Sequence, residues 1–161
     1  MKLMSRFAGI PAGLLSTLFF LSVGSPPALA GEGKGEAKFG AQLIWATNDK
    51  SKDPKLNPVD SEVQKKLDEL PLKWKHYYTM KQEEFKVAKG ATNSVVMSEK
   101  CTVEVTRLTD SKVEVTLHGK KGNEAKVCAK RTQPLPKGEI LVLGGNAPNA
   151  TAWLVTLKRL E

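Results

Sequence analysis

Cysteine, histidine, arginine and aromatic residues are all scarce in this 161-residue chain. It has two Cys, two His and four Arg, and Phe, Trp and Tyr make up only 6%. Two cysteines exclude a disulfide-dense miniprotein. The absence of CxxC and of Cys/His ligand spacing argues against thioredoxin-like and zinc chemistry. Arginine is the side chain that grips phosphates and base edges in a bidentate fork, so its scarcity beside 21 lysines argues against sequence-specific nucleic-acid reading. There is one long apolar run, near the N-terminus, which rules out a polytopic membrane protein. There is also no GxSxG elbow, no HExxH helix and no Walker-type glycine loop. Glu83-Glu84 is an adjacent carboxylate pair within an expected strand. On a strand the two point to opposite faces and cannot share a gap as glycoside hydrolysis requires.

What is present begins with an export signal. Lys2 and Arg6 precede an apolar or small stretch from Phe7 to Val23, Pro26-Pro27 break it, and Ala28-Leu29-Ala30 supplies a small-x-small cleavage site. This is the three-part layout of a secretory signal peptide over residues 1–30, with cleavage before Gly31. An uncleaved anchor would need about 20 apolar residues without Pro11 and Gly13. Gly31 stands where a lipoprotein would need cysteine. The expected location is therefore periplasmic or extracellular, with no transmembrane anchor after cleavage. The remaining 131 residues carry 23 basic and 17 acidic side chains. They suffice for one domain with a buried core. Residues 31–36 read as a flexible Gly/charge leader and 37–161 as the domain.

Beyond the leader, two-residue periodicity dominates. Ala37–Ala46 reads as a strand. Asn48–Pro58 is a polar loop with Asp53-Pro54 and Asn57-Pro58 turns. Asp60 caps a short helix over 61–70, whose Val63, Leu67 and Leu70 share one face and which Pro71 ends. A helix that short must dock by its apolar face. Leu72, Trp74, His76, Tyr78 and Met80 then alternate with Lys73, Lys75, Tyr77, Thr79 and Lys81. Further strands are expected at 83–87, 94–98, 101–107, 113–119, 124–130, 140–143 and 151–158, with 101–130 as a sequential meander. The expected fold is mainly β, an antiparallel β-sandwich or open barrel with one docked helix.

Two segments resemble short exported bacterial proteins that have no assigned function. They are Gln42-Leu43-Ile44-Trp45-Ala46-Thr47-Asn48-Asp49, and Leu135-Pro136-Lys137-Gly138-Glu139 through Asn149-Ala150-Thr151-Ala152-Trp153. The similarity spans most of the chain after the signal. It implies export and a compact fold, and brings no site residues.

The two cysteines are a candidate disulfide. A Cys101–Cys128 bridge would close a 28-residue loop, worth about 3.6 kcal/mol in the chain-entropy model. The meander opposes it: two strand spacings separate the pair by about 10 Å, beyond the ~7 Å Cα limit. Parity opposes it too, because Cys101 shares a face with Val103 and Val105 while Cys128 alternates with Val127 and Ala129. Export favours the bridge, so both readings stand.

Of the histidines, His76 falls on the expected core face, where a hydrogen-bonded structural role is the ordinary one. His118 falls on the polar face opposite Thr102 with Glu104 diagonal, short of the three or four ligands a metal site needs. No cofactor is implied. Two surfaces are candidate contacts. Lys73, Lys75, Lys81 and an exposed Tyr77 form a basic patch that would attract an anionic envelope polymer weakly and salt-sensitively. The loop Gly144–Ala150, with Gly145, Asn146, Pro148 and Asn149, would sit on two rigid strands and contact another exported protein. Asn149-Ala150-Thr151 is also a glycosylation sequon. Function is expected to be non-catalytic binding or scaffolding in the cell envelope. The alternatives are a small exported enzyme with a site assembled from distant residues, or a secreted inhibitor acting through 144–150.

Overall fold

Alternation in the first strand buries both of its faces, and that fact organises the molecule. In β1 (Glu36–Thr47), Ala37, Phe39, Ala41 and Leu43 face one apolar cluster, while Ile44 and Ala46 face another. A strand buried on both sides must be central, with layers above and below it. The computed structural model, which describes residues 35–122, 124–146 and 150–161, has this arrangement. The expected signal segment 1–30, residues 31–34 of the expected leader, and Pro148 and Asn149 of the predicted contact loop lie outside the described residues.

The elements that follow are β2 (Asn57–Pro58), α1 (Ser61–Asp68), β3 (His76–Ala88), β4 (Thr92–Ser98), β5 (Cys101–Arg107), β6 (Lys112–Lys121), β7 (Glu124–Pro134), β8 (Ile140–Asn146) and β9 (Ala152–Arg159). They form two antiparallel sheets. One has five strands in the order β2-β3-β1-β9-β8, the other four in the order β4-β5-β6-β7. The four-stranded sheet packs on the inner face of the first, and α1 covers part of the outer face. The fold is thus a sandwich with a docked helix and no closed barrel, as the periodicity indicated. Residues 101–134 form the expected meander.

Four elements differ from expectation. Asn57–Pro58, expected as a turn, is the short strand β2 paired with β3. The helix stops at Asp68, with Glu69 as its C-cap, two residues before the predicted end. Leu72–Lys75 is not strand; β3 begins at His76 and runs unbroken through the two strands expected there. Residues Gly144–Asn146 belong to β8 rather than to a loop, paired with Leu154, Trp153 and Ala152. Glycine costs entropy in a strand, but antiparallel pairing with β9 carries the ladder through both.

The helix is held at its start. Asp60 accepts a hydrogen bond from the Val63 amide (2.8 Å) and another from the Gln42 side-chain amide (3.2 Å), tying the cap to β1. Val63 and Leu67 are buried against Ile44, Ala46, Tyr77, Ile140 and Leu154. Between the sheets, at one end, Phe39 stacks on Phe85 with centroids 6.0 Å apart. Buried Arg107 closes that end, donating to the Gly35 and Val87 carbonyls and pairing with Asp110 at 3.2 Å.

Burial alone would raise the Asp60 carboxyl, but the Val63 amide, the Gln42 side chain and the Glu62 amide together hold it below the ordinary aspartate value. A depressed folded pKa stabilises the fold above the unfolded value of about 3.9 and is lost as pH falls through the folded one. Asp60→Ala should therefore cost about 1 kcal/mol in urea unfolding at pH 7. The gap to the parent should narrow steadily below about pH 4. A gap unchanged at pH 2.5 would show that the cap does not act through its charge.

Candidate functional site

Antiparallel ladders pair residue for residue unless an extra residue is inserted, and an inserted residue bends its strand and re-aims its side chain. Three such insertions occur here. Leu43 pairs with Lys81 and Ile44 with Thr79, so Met80 is skipped. Val96 pairs with Thr102 and Ser98 with Cys101, skipping Met97. Leu117 pairs with Ala129 and His118 with Val127, skipping Cys128. All three skipped residues line one cleft of about 690 Å³ between the sheets, at the end away from Arg107.

The cleft floor is apolar. Leu43, Met97, Leu117 and Val155 are all at most 7% exposed. Its mouth carries Met80, Trp153, Cys128, Lys81 and Lys100. Glycines keep it open. Gly145 continues the inward series of Leu141 and Leu143, yet a Cβ there would meet no atom within 4 Å. Gly119 continues the inward series Val113, Val115 and Leu117, and Cys128 Sγ lies 2.4 Å from where its Cβ would stand. Gly144 differs: its Cβ would be 2.3 Å from Leu154 Cδ2 and 3.1 Å from the Trp153 carbonyl.

The insertion at Cys128 changes the cysteine argument. Simple alternation would set the two thiols on opposed faces, but the bulge turns Cys128 onto Gly119, which is the register partner of Cys101. Both thiols are free and both line the cleft. Cys101 is half-buried, and burial first, then the neighbouring Cys128, pushes its thiol up.

The basic patch does not assemble as expected. Tyr77 is buried at 5% exposure, because its side of β3 is the one α1 covers; its hydroxyl donates to the Trp74 carbonyl. Lys73 and Lys75 are exposed, Lys73 over the Trp74 ring at 5.4 Å. Lys81 sits at the cleft instead, donating to the Val96 carbonyl (2.7 Å) and pairing with Glu83 (3.1 Å). Glu84 pairs separately with Lys38. Gly145 lines the cleft, and Asn146 ends β8. His76 is half-buried opposite Thr47, away from the cleft. His118 does oppose Thr102, as the spacing predicted, with Nε2 3.8 Å from Glu104, and it also borders the cleft.

Sequence reasoning missed the cleft because bulges have no periodic signature. Its one legible trace was glycine at inward positions 119 and 145. A second hollow of about 130 Å³ lies on the outer face among Gln42, Asp60, Glu62, Gln82, Glu84 and Lys158, most of them already paired.

Two outcomes follow. Gly144→Ala should lose about 1–3 kcal/mol in urea unfolding through overpacking, whereas Gly145→Ala should stay within about 0.5 kcal/mol of the parent. Equal losses would mean the two positions are not differently packed. With Ellman's reagent at pH 7.5, Cys128 should react about tenfold faster than Cys101. The fast phase should vanish in Cys128→Ser; its survival would reverse the assignment.

Comparison with protein-family models and with curated proteins finds no match to this chain, so the cleft's chemistry rests on its own residues.

Proposed function

We propose that this chain is an exported, non-catalytic binding domain of the cell envelope, and that its ligand site is the inter-sheet cleft. Export is supported by the layout of residues 1–30. The single observation that carries the binding reading is an open, apolar cleft of about 690 Å³ with a few polar groups at its mouth, the usual form of a ligand site. It stands on two rigid sheets, which lowers the ordering cost of binding. Among the described residues no helix is long and apolar enough to cross a membrane. Lys73 and Lys75 add a salt-sensitive attraction to anionic envelope polymer.

One observation favours catalysis instead: His118 and Glu104 lie beside a cleft that also holds two thiols. A thiol nucleophile needs its pKa lowered by a neighbouring imidazolium or cation. Cys101 is shifted the other way, and the Cys128 thiol lies against the Lys126 carbonyl at 3.6 Å. Binding is therefore the better reading. The inhibitor reading depends on residues 144–150, of which 144–146 are the end of strand β8 and 147–149 lie outside the described residues.

The neutral fluorophore N-phenyl-1-naphthylamine tests the cleft. It should bind saturably in the micromolar range and accept energy from Trp153. Gly145→Trp should fill the space and weaken binding at least tenfold while leaving the thermal midpoint within about 3 °C. Absence of saturable binding, or binding indifferent to Gly145→Trp, would remove the cleft as the site.

A further inference from the structure

Beyond the signal segment the chain has four sulfur-bearing residues: Met80, Met97, Cys101 and Cys128. All four line the same cleft. They come from four different strands, β3, β4, β5 and β7, across two sheets. Three of them are the inserted residues that break the ladders. Core packing accounts for the buried Met97, but not for the exposed Met80 and Cys128.

The four are also connected around the cleft. The Lys81 ammonium bridges β3 to the Val96 carbonyl, which brings the Met80 bulge beside the Met97 bulge. Ser98, next to Met97, pairs with Cys101 across the β4–β5 turn. Cys101 pairs with Gly119, over which the Cys128 sulfur lies. The absent side chain at Gly119 is what lets the two thiols approach over the intervening strand.

We propose that this sulfur set is a binding site for a soft monovalent cation, Cu(I), held by the two thiolates and the two thioethers; the proposal rests on the cleft being the ligand site. Thiolate and thioether donors select Cu(I) over harder divalent ions. Among the described residues no three His, Cys, Asp or Glu side chains converge as a metal site, so a harder ion such as Zn(II) finds no complete set here. Thioethers complete a set for a soft ion only. The binding step involves no redox change: Cu(I) enters as Cu(I), two S–H bonds break, two Cu–thiolate bonds and two dative Cu–thioether bonds form, and two protons leave to solvent. Two thiolates and one monovalent cation leave a single negative charge on a cleft lining that carries Lys81, Lys100 and Glu99. Flexible thioether arms suit a site that must close around an ion from an open cleft.

The test is anaerobic competition of the purified protein against bathocuproine disulfonate, with Cu(I) as the probe. One Cu(I) per chain should bind, with an ultraviolet sulfur-to-copper band, and Zn(II) should not displace it. Cys101→Ser with Cys128→Ser should weaken binding at least a hundredfold. Met80→Leu with Met97→Leu conserves volume and should weaken it about tenfold, with both thiols still reacting with Ellman's reagent as in the parent. No stoichiometric Cu(I) uptake would overturn the proposal, as would an affinity unmoved by the methionine pair, which would leave only adventitious thiol binding. Binding of N-phenyl-1-naphthylamine without Cu(I) uptake would sink this inference alone. Loss of both would sink the cleft reading as well.

Discussion

Two stacked sheets hold a gap of about 10 Å that side chains from both must fill along its whole length. Everything distinctive about this molecule follows from where that filling succeeds and where it stops. At one end Phe39, Phe85, Val87, Val105 and Val113 interdigitate, and the Arg107 guanidinium seals the edge by binding backbone carbonyls. At the other the inward positions shrink to Gly119, Ala129 and Gly145. Glycines and alanine cannot reach across, so the gap stays open there. The sheets do not collapse onto it because β1 is buried on both faces and hydrogen-bonded on both edges, to β3 and β9. A strand fixed in that way transmits little local relaxation.

Bulges supply what glycines cannot. Each inserted residue adds a side chain to the cleft and shifts the ladder by one residue beyond it. In β3 the insertion at Met80 also decides which tyrosine faces which side, since parity reverses across it. Tyr78 turns toward Trp45 at a centroid distance of 5.9 Å, and Tyr77 turns to the helix. The exposed edge strand β7 is shielded differently. Lys126, Lys130 and Arg131 lie along it, and charge on an edge opposes pairing with a second chain.

The fold class was legible in the sequence because it depends on parity alone, and parity survives over most strands. Val103, Val105, Val113, Val115 and Leu117 are all buried as their alternation required. The helix was legible from Asp60 and the i, i+4 pair Val63 and Leu67. The site was not. Parity places Cys128 away from Cys101 and Tyr77 in solvent, and both inferences fail for physical reasons absent from a local pattern. The first fails at an inserted residue, the second because a distant helix covers the supposed outer face. Gly144 and Gly145 read as a turn because glycine usually marks one. Here one is required by contact with Leu154 and Trp153, the other by the space it leaves.

The same geometry bears on how the two thiols can be joined. They stand two strands apart in register, a separation of about 10 Å between backbones. A disulfide holds its sulfurs about 2.05 Å apart and its Cα atoms within about 7 Å, so closing one here would have to drag β7 toward β5 over Gly119. A cation held at metal–sulfur distances of about 2.3 Å separates two sulfurs by up to twice that, and so spans a wider gap with less backbone movement. The extra reach falls at the one place where a glycine interrupts the wall between the cysteines. Filling Gly119 with any side chain would displace the Cys128 sulfur first, before it disturbed the core. The cleft therefore owes its sulfur chemistry to a missing side chain as much as to the four that are present.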